Sequence, residues 1–278
     1  MLKQRVITGL LMAAALIAAI IYLSPRALVI LLAVLTLFGC WEWTNLAGVN
    51  KTFARLLYCA VSACAMIALL EWAHLLDELP NLQRLHWILS TAGVWWCIAW
   101  LCIKGFPKSG AWWGSTWTRL AMGWLALLPA WIACAYLRLQ INGEWKIMFL
   151  LTLVAAADIG AYFSGTQFGK NKLAPAVSPG KSWEGFFGGM VASVLFALAM
   201  WSLLWKQQIP VLTLLIIAAL TMVASVIGDL LESMLKRYRG VKDSGTILPG
   251  HGGILDRFDS ISAAAPVFAL GLLLATHW

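Results

Sequence analysis

Charge is what this sequence has least of. Asp and Glu number 12 in 278 residues, and charged residues make up 12% of the chain, where soluble domains carry about 25%. No ordinary water-facing surface can be built from so few. Histidine is also scarce, and the six cysteines (Cys40, Cys59, Cys64, Cys97, Cys102 and Cys134) include no Cys-x-x-Cys pair and no neighbouring His set. A zinc site and a disulfide framework are therefore not expected, and the cysteines read as small buried residues. No internal repeat is visible, and no Ser-His-Asp arrangement suggests a nucleophilic hydrolase. The formal charge of +8 is spread over short loops, so no basic stripe exists to hold nucleic acid. Anionic lipid headgroups fit such cations better.

What the sequence has instead is oil, with 62% hydrophobic residues and a mean hydropathy of +0.82. At about 20 apolar residues per crossing, the fold class is all-α, a polytopic integral membrane protein of about nine transmembrane helices. They are expected near 6–23, 27–47, 54–72, 85–103, 120–136, 147–168, 186–205, 211–228 and 261–277. Met1-Leu-Lys-Gln-Arg before an apolar run resembles a secretory signal, but Ser24-Pro-Arg leads straight into another long run, so a retained first span is expected. Many of the 17 tryptophans flank apolar runs (Trp41, Trp43, Trp72, Trp87, Trp145, Trp205, Trp278), as an interfacial belt would. With the N-terminus inside, alternate loops put 15 of the 20 Lys and Arg on the inner side. Arg26, Arg84, Arg138, Lys146 and Lys206 fall outside, together with Glu71, Asp77 and Glu78. That asymmetry predicts a cytoplasmic N-terminus and cytoplasmic polar loops.

The few acids are concentrated. Five of the 12 lie between Ile227 and Asp259: Asp229, Glu232, Asp243, Asp256 and Asp259. If the preceding apolar helix continues, Asp229, Glu232, Ser233, Lys236 and Arg237 share one face. Carboxylates then sit near the end of the apolar run and cations one to two turns beyond, an order that suits a metal ion and phosphates. Pro249-Gly-His-Gly-Gly offers backbone N–H groups to an anion, and Asp256-Arg-Phe-Asp follows it.

Two further acids stand inside apolar runs. Glu42, late in the second span, should face protein or the inner interface. Asp158 lies mid-run, beside a stripe of small residues at Ala161, Gly165 and Gly169, so it is expected to point into the bundle. The following loop, Gly169 to Gly185, ends in Gly180-Lys-Ser but fails as a Walker motif, since Pro175 occupies the required first glycine. It remains a basic, constrained loop with Lys170, Lys172, Lys181, Ser178 and Ser182 able to meet phosphates.

These blocks resemble the phosphatidate cytidylyltransferase (CDP-diacylglycerol synthase) family. The signature runs over 27 residues through Ser233, Lys236, Arg237, Lys242, Asp243, Gly245, Leu248, Pro249, His251, Gly252, Gly253, Ile254, Asp256, Arg257, Phe258 and Asp259. A second block, an intramembrane Asp before a Ser-Pro-x-Lys-Ser loop, is met by Asp158, Tyr162, Ser178, Lys181 and Ser182. The resemblance covers the C-terminal half with specificity and the N-terminal half by hydropathy alone. It implies transfer of CMP from CTP to phosphatidate, giving CDP-diacylglycerol and pyrophosphate, in the bacterial inner membrane.

On that resemblance, the catalytic set is Asp229, Ser233, Lys236, Arg237, Lys242, Asp243, His251, Asp256, Arg257 and Asp259. Lys236, Arg237, Lys242 and Arg257 would steer and hold phosphates. Substrate binding falls to Asp158, Tyr162, Lys170, Lys172, Ser178, Lys181 and Ser182. Mg²⁺ is expected on Asp229 and Asp256 with support from Glu232, beside a second, monovalent cation such as K⁺. Partners are CTP, phosphatidate and membrane lipid, no nucleic acid, and a homodimer is left open. Residues 1–140 read as a scaffold with room for lipid entry, and 141–278 as the catalytic region with polar loops 169–185 and 229–260. The competing readings are a cytidylyltransferase for another lipid phosphate and a cation-coupled transporter using Asp158, Asp229 and Glu42.

Overall fold

In hydrocarbon a backbone must satisfy its own hydrogen bonds, and long Leu/Ala/Val/Ile runs do so as helices. A computed structural model describes residues 2–77, 79–205, 209–247 and 252–277. Its helices are α1 (Leu2–Tyr22), α2 (Pro25–Leu46), α3 (Thr52–Trp72), α4 (Leu82–Lys104), the short α5 (Gly110–Trp113), α6 (Thr116–Leu139), α7 (Gly143–Phe168), α8 (Trp183–Met200), α9 (Val211–Arg239) and α10 (Leu255–His277). A π-helical turn, Trp201–Trp205, extends α8. Among the described residues eight helices are long and apolar enough to cross a membrane, and Thr8–Tyr22 within α1 is a shorter apolar helix. The nine expected runs correspond to these one for one. The polypeptide spans a membrane many times.

Local chemistry sets the helix ends. Ser24, Asn81, Ser115 and Ser182 each accept a backbone N–H from the first turn of the helix they precede. Gly240 ends α9 with a φ of 74°, a left-handed C-cap. One departure from an all-helical chain is a small antiparallel hairpin, β1 (Lys172–Ala174) with β2 (Ser178–Ser182). It lies in the loop with Pro175 and Pro179, where a helix cannot continue.

Helix α6 is the most buried span, from Met122 to Arg138. Helices α7 with α8 and α9 with α10 form the two closest pairs. The small-residue stripe expected on α7 meets glycines of α8: a Cβ on Gly185 would sit 2.9 Å from the Ala161 carbonyl and 3.4 Å from Gly165 Cα, and one on Gly189 would sit 3.3 Å from Ala161 Cβ. Only glycine permits that approach.

One end of the bundle gathers the C-termini of α2, α4, α7 and α9 with the N-termini of α6, α8 and α10. Three arginines bind the carbonyls that end α2: Arg55 to Trp41 at 2.9 Å, Arg239 to Asn45 at 3.2 Å and Arg119 to Leu46 at 2.8 Å. Helix C-terminal carbonyls have no partner within their helix, and cations suit that end of the dipole. At the opposite end Arg138 bonds the Leu23 carbonyl at 2.9 Å and Arg84 that of Trp72 at 2.9 Å. The alternation of loops deduced from Lys and Arg is therefore matched by which loops meet.

The tryptophan belt holds only in part. Trp72, Trp87 and Trp145 are exposed as expected. Trp43 is buried, its indole donating to the Arg119 carbonyl at 2.7 Å, and Trp41 stacks on Arg55. A large ring near a helix end can pack inward when its N–H finds a buried carbonyl. Trp278, Glu78, Lys206 and the side chain of Trp205 lie outside the described residues.

Candidate active site

The site is built at the gathered end, where α9 runs past the apolar region without a break. Asp229, Glu232, Ser233, Lys236 and Arg237 all lie on this one helix, as the spacing predicts. Asp229 pairs with Lys181 of β2, Nζ to Oδ2 at 2.6 Å, and accepts from the Ser233 hydroxyl at 3.3 Å. Lys236 stands between two carboxylates, 3.2 Å from Glu232 Oε1 and 2.7 Å from Asp256 Oδ1. Asp259 lies within electrostatic reach of Asp229, Lys181 and Lys236. Acids and ammonium groups thus alternate from the hairpin to the start of α10.

The start of α10 is held by two carboxylates, and one of them comes from the far half of the chain. Asp256 accepts from Gly253 N at 2.7 Å, from Ser244 N at 3.0 Å and from Ser244 Oγ at 3.0 Å. Glu42 accepts from Ile254 N at 3.0 Å, Leu255 N at 2.8 Å and Ser244 Oγ at 3.1 Å. Anionic acceptors at a helix N-terminus satisfy orphan N–H groups and favour the dipole. A Cβ on Gly245 or Gly253 would strike the Glu42 carboxyl, so glycine there lets the loop close on it. Glu42 does face protein, as its cost in lipid demands. Its task is to fix the loop.

A second cluster faces a cavity of about 220 Å³ between α7, the hairpin, α8 and α9, lined among others by Asp158, Tyr162, Lys181, Ser182 and Met222. Asp158 lies within electrostatic reach of both Lys181 and Asp229, so the two blocks found in the sequence adjoin in space. The hairpin is anchored at its base by Glu184, which accepts from Asn171 N and Nδ2 at 3.2 and 2.8 Å. Its tip is anchored by Arg237, whose Nε donates to the Val177 carbonyl at 3.2 Å.

Several expected residues serve differently from the sequence reading. Ser182 is buried, and its hydroxyl accepts from Gly185 N at 3.1 Å as the cap of α8. Arg237 donates its Nε to the hairpin and the Lys236 ammonium lies between two carboxylates, so both brace the site. Lys170, Lys172, Lys242, Asp243 and Arg257 are exposed around the rim, and Ser178 is half-buried at the start of β2. His251, with Leu248 and Pro249, lies outside the described residues. Ser244, Glu42, Asn171 and Glu184 were not read as site residues. For Ser244 the signature leaves its position variable, and only its place between two carboxylates reveals it.

Whether these groups suit Mg²⁺ can be judged from their contacts. Both Glu232 oxygens are buried without an aligned hydrogen-bond donor, and Oε1 lies 3.2 Å from the Lys236 ammonium, a half-satisfied state that a second cation relieves. Asp229 meets Lys181 and Ser233, whereas Asp256 is engaged by Lys236, Ser244 and Gly253. Among the described residues no three His, Cys, Asp or Glu side chains converge as a protein-only cage. Mg²⁺ is ordinarily held by one or two carboxylates and completed by phosphate oxygens, and Asp229 with Glu232 fits that habit better than Asp256 does.

Comparison with known proteins agrees with this geometry. The chain is 44% identical over 278 residues to a phosphatidate cytidylyltransferase of Pseudomonas aeruginosa, covering 100% of this chain and 99% of the relative. It is 36% identical over 286 residues to that of Haemophilus influenzae, covering 97% and 98%. A Bacillus subtilis phosphatidate cytidylyltransferase is 41% identical over 158 residues, or 55% of this chain and 58% of the relative. The model of the cytidylyltransferase family matches residues 3–275, and the chain belongs to that family.

Proposed function

We propose that this protein transfers CMP from CTP to phosphatidate, forming CDP-diacylglycerol and pyrophosphate. The observation that carries the reading is the alternation of acids and ammonium groups, Lys181–Asp229 and Lys236–Asp256, at one end of an otherwise apolar bundle. A water-soluble nucleotide and a membrane-bound phosphate can meet only at such a boundary. The relatives' shared name supports the same substrates.

Phosphatidate needs no strong base, since its phosphate monoester already carries roughly −1.5 to −2 charge at pH 7. One of its oxygens attacks the α-phosphorus of CTP, the bond from that phosphorus to the bridging oxygen breaks, and pyrophosphate leaves with the electron pair. The obstacle is repulsion between polyanions, so positioning and electrostatics must supply the rate. Lys181, on a braced hairpin beside Asp158 and Tyr162, is the cation best placed to meet phosphate. The exposed Lys170, Lys172, Lys242 and Arg257 gather the anions. Asp256 and Glu42 hold the loop, and Lys236 holds Asp256.

Asp229 and Glu232 would hold Mg²⁺, which when bound neutralises phosphate charge and stabilises the leaving pyrophosphate. A second, monovalent cation such as K⁺ would sit beside the Mg²⁺. The gathered end is assigned to the cytoplasm of a bacterial inner membrane, because it carries the basic loops.

Purified protein given α-labelled CTP and phosphatidate should place label in the organic-soluble lipid and release pyrophosphate in equal amount. Chelation of divalent metal should stop both. Ion-dependent solute uptake without lipid labelling would overturn the reading in favour of a transporter.

A further inference from the structure

A second, wholly different pocket lies between α1, α2, α6, α7 and α10. Its walls include Leu16, Leu32, Leu127 and Leu151, and its floor is Leu255 and Phe258. The polar groups that reach it are already occupied. The Thr36 hydroxyl bonds the Leu32 carbonyl at 2.8 Å, the Ser262 hydroxyl bonds that of Asp259 at 2.6 Å, and the Trp131 indole bonds that of Val29 at 3.1 Å. Such a lining offers water no partner, and an apolar cavity of this kind stays dry and accepts apolar molecules.

Position identifies which apolar molecule. Leu255 and Phe258 alternate with Asp256 and Asp259 on the same first turns of α10, within a helical pitch of about 5.4 Å. The wall of the oily pocket and the acidic centre are therefore one piece of chain. A diacyl lipid whose phosphate meets Lys181 beside Asp229, both within electrostatic reach of Asp259, has its chains near this pocket.

We propose that the pocket between α1, α2, α6, α7 and α10 receives one acyl chain of the lipid substrate and so orients its phosphate; this rests on the cytidylyltransferase reading above. Headgroup recognition and chain recognition then sit on adjacent faces of α10. Lipids with short chains should react without using the pocket.

Gly39 provides the test, because a Cβ added there meets Leu127 and Leu255 only at ordinary contact distances of 3.7 and 3.8 Å. Alanine is accommodated, and leucine or phenylalanine grows into the pocket. With the full-length protein in detergent micelles, Gly39→Leu and Gly39→Phe should raise KM for dioleoyl phosphatidate about tenfold, the loss expected from denying burial to about two methylenes. KM for CTP and for dihexanoyl phosphatidate should not move. Gly93→Phe, at a position with nothing within 4 Å, serves as the bulk control. Equal shifts for both lipids, or none for either, would overturn the proposal. A second measurement covers a variant that fails to fold and a wild type that labels no lipid, which would sink the cytidylyltransferase reading instead. Phosphatidate with a diazirine at the end of one chain should photolabel pocket residues of α2 and α6 in the wild-type protein, and adducts confined to other segments would overturn the pocket.

Discussion

The site holds two ion-pair systems on the same face of α9 that differ in how tightly they are enclosed. Lys181 and Asp229 keep 27% and 32% of their side-chain surface exposed. One turn further along the helix, Lys236 keeps 15%, Glu232 2% and Asp256 9%. Exposed pairs contribute about 0–1 kcal/mol and re-form easily with other ions. In an enclosed pair, loss of one partner leaves a buried charge uncompensated, at about 3–5 kcal/mol. The outer pair is therefore suited to exchange partners with phosphate and metal, while Lys236 with Asp256 is suited to keep the start of α10 in place and Glu232 stands between the two. One helix carries both the reactive and the supporting chemistry.

The sharpest way to break that contrast is to remove one charge from each system. Asp229→Asn keeps shape but removes charge and metal-ligand strength, and should lower turnover by about 10²-fold or more without changing the thermal midpoint. Lys236→Ala should do the reverse first: it strands Glu232 and Asp256, so stability should fall by about 3–5 kcal/mol in a detergent unfolding series. If Lys236→Ala left the midpoint unmoved and raised only KM for CTP, Lys236 would belong with the reactive pair.

A third variant tests the support from the N-terminal half. Glu42→Gln retains size but replaces one accepting oxygen with an NH₂ group that cannot accept from Leu255 N or Ile254 N. Each charge-assisted bond contributes about 1.5–3 kcal/mol, and displacement of α10 by a fraction of an ångström should reduce kcat by about 10²-fold. Glu42→Asp, which keeps the charge and shortens the arm, should recover part of it. A loss in Glu42→Asp with Glu42→Gln unimpaired would mean that size alone matters there.

How much of this was legible beforehand depends on the kind of signal. Helix positions followed from long apolar runs, and continuation of α9 into the charged island followed from spacing on one face. The pairing of Asp158 with Lys181 and Asp229 was readable as two motif blocks, because both blocks carry residues that lipid would reject. The support was not readable. Ser244 and Glu42 are about 200 positions apart and meet only because α2 and the loop before α10 close on each other, a fact no local period encodes. The backbone service of Ser182, as a helix cap, and of Arg237, as a donor to the Val177 carbonyl, was not readable from residue type either. A polar side chain serves the nearest unsatisfied backbone group unless geometry prevents it.

The smallest expected effect lies furthest from both systems, at the hairpin's exposed cations. Lys170 and Lys172 are exposed, and they stand on the loop whose braced end carries Lys181. Charges of this kind act on anions before contact, raising their local concentration at the site, and salt screens them over about 8–10 Å at physiological ionic strength. The double variant Lys170→Ala with Lys172→Ala should therefore raise KM for CTP by roughly threefold at low salt, leave kcat alone and become indistinguishable from the parent near 1 M salt, where the Debye length is about 3 Å. Lys181→Ala should lose activity at every salt concentration, since its ammonium lies 2.6 Å from Asp229 and no screening ion fits between them. If instead the two variants shared one salt dependence, the hairpin would act as a single diffuse charge, and the distinction between gathering and holding phosphate would fail at its outer edge.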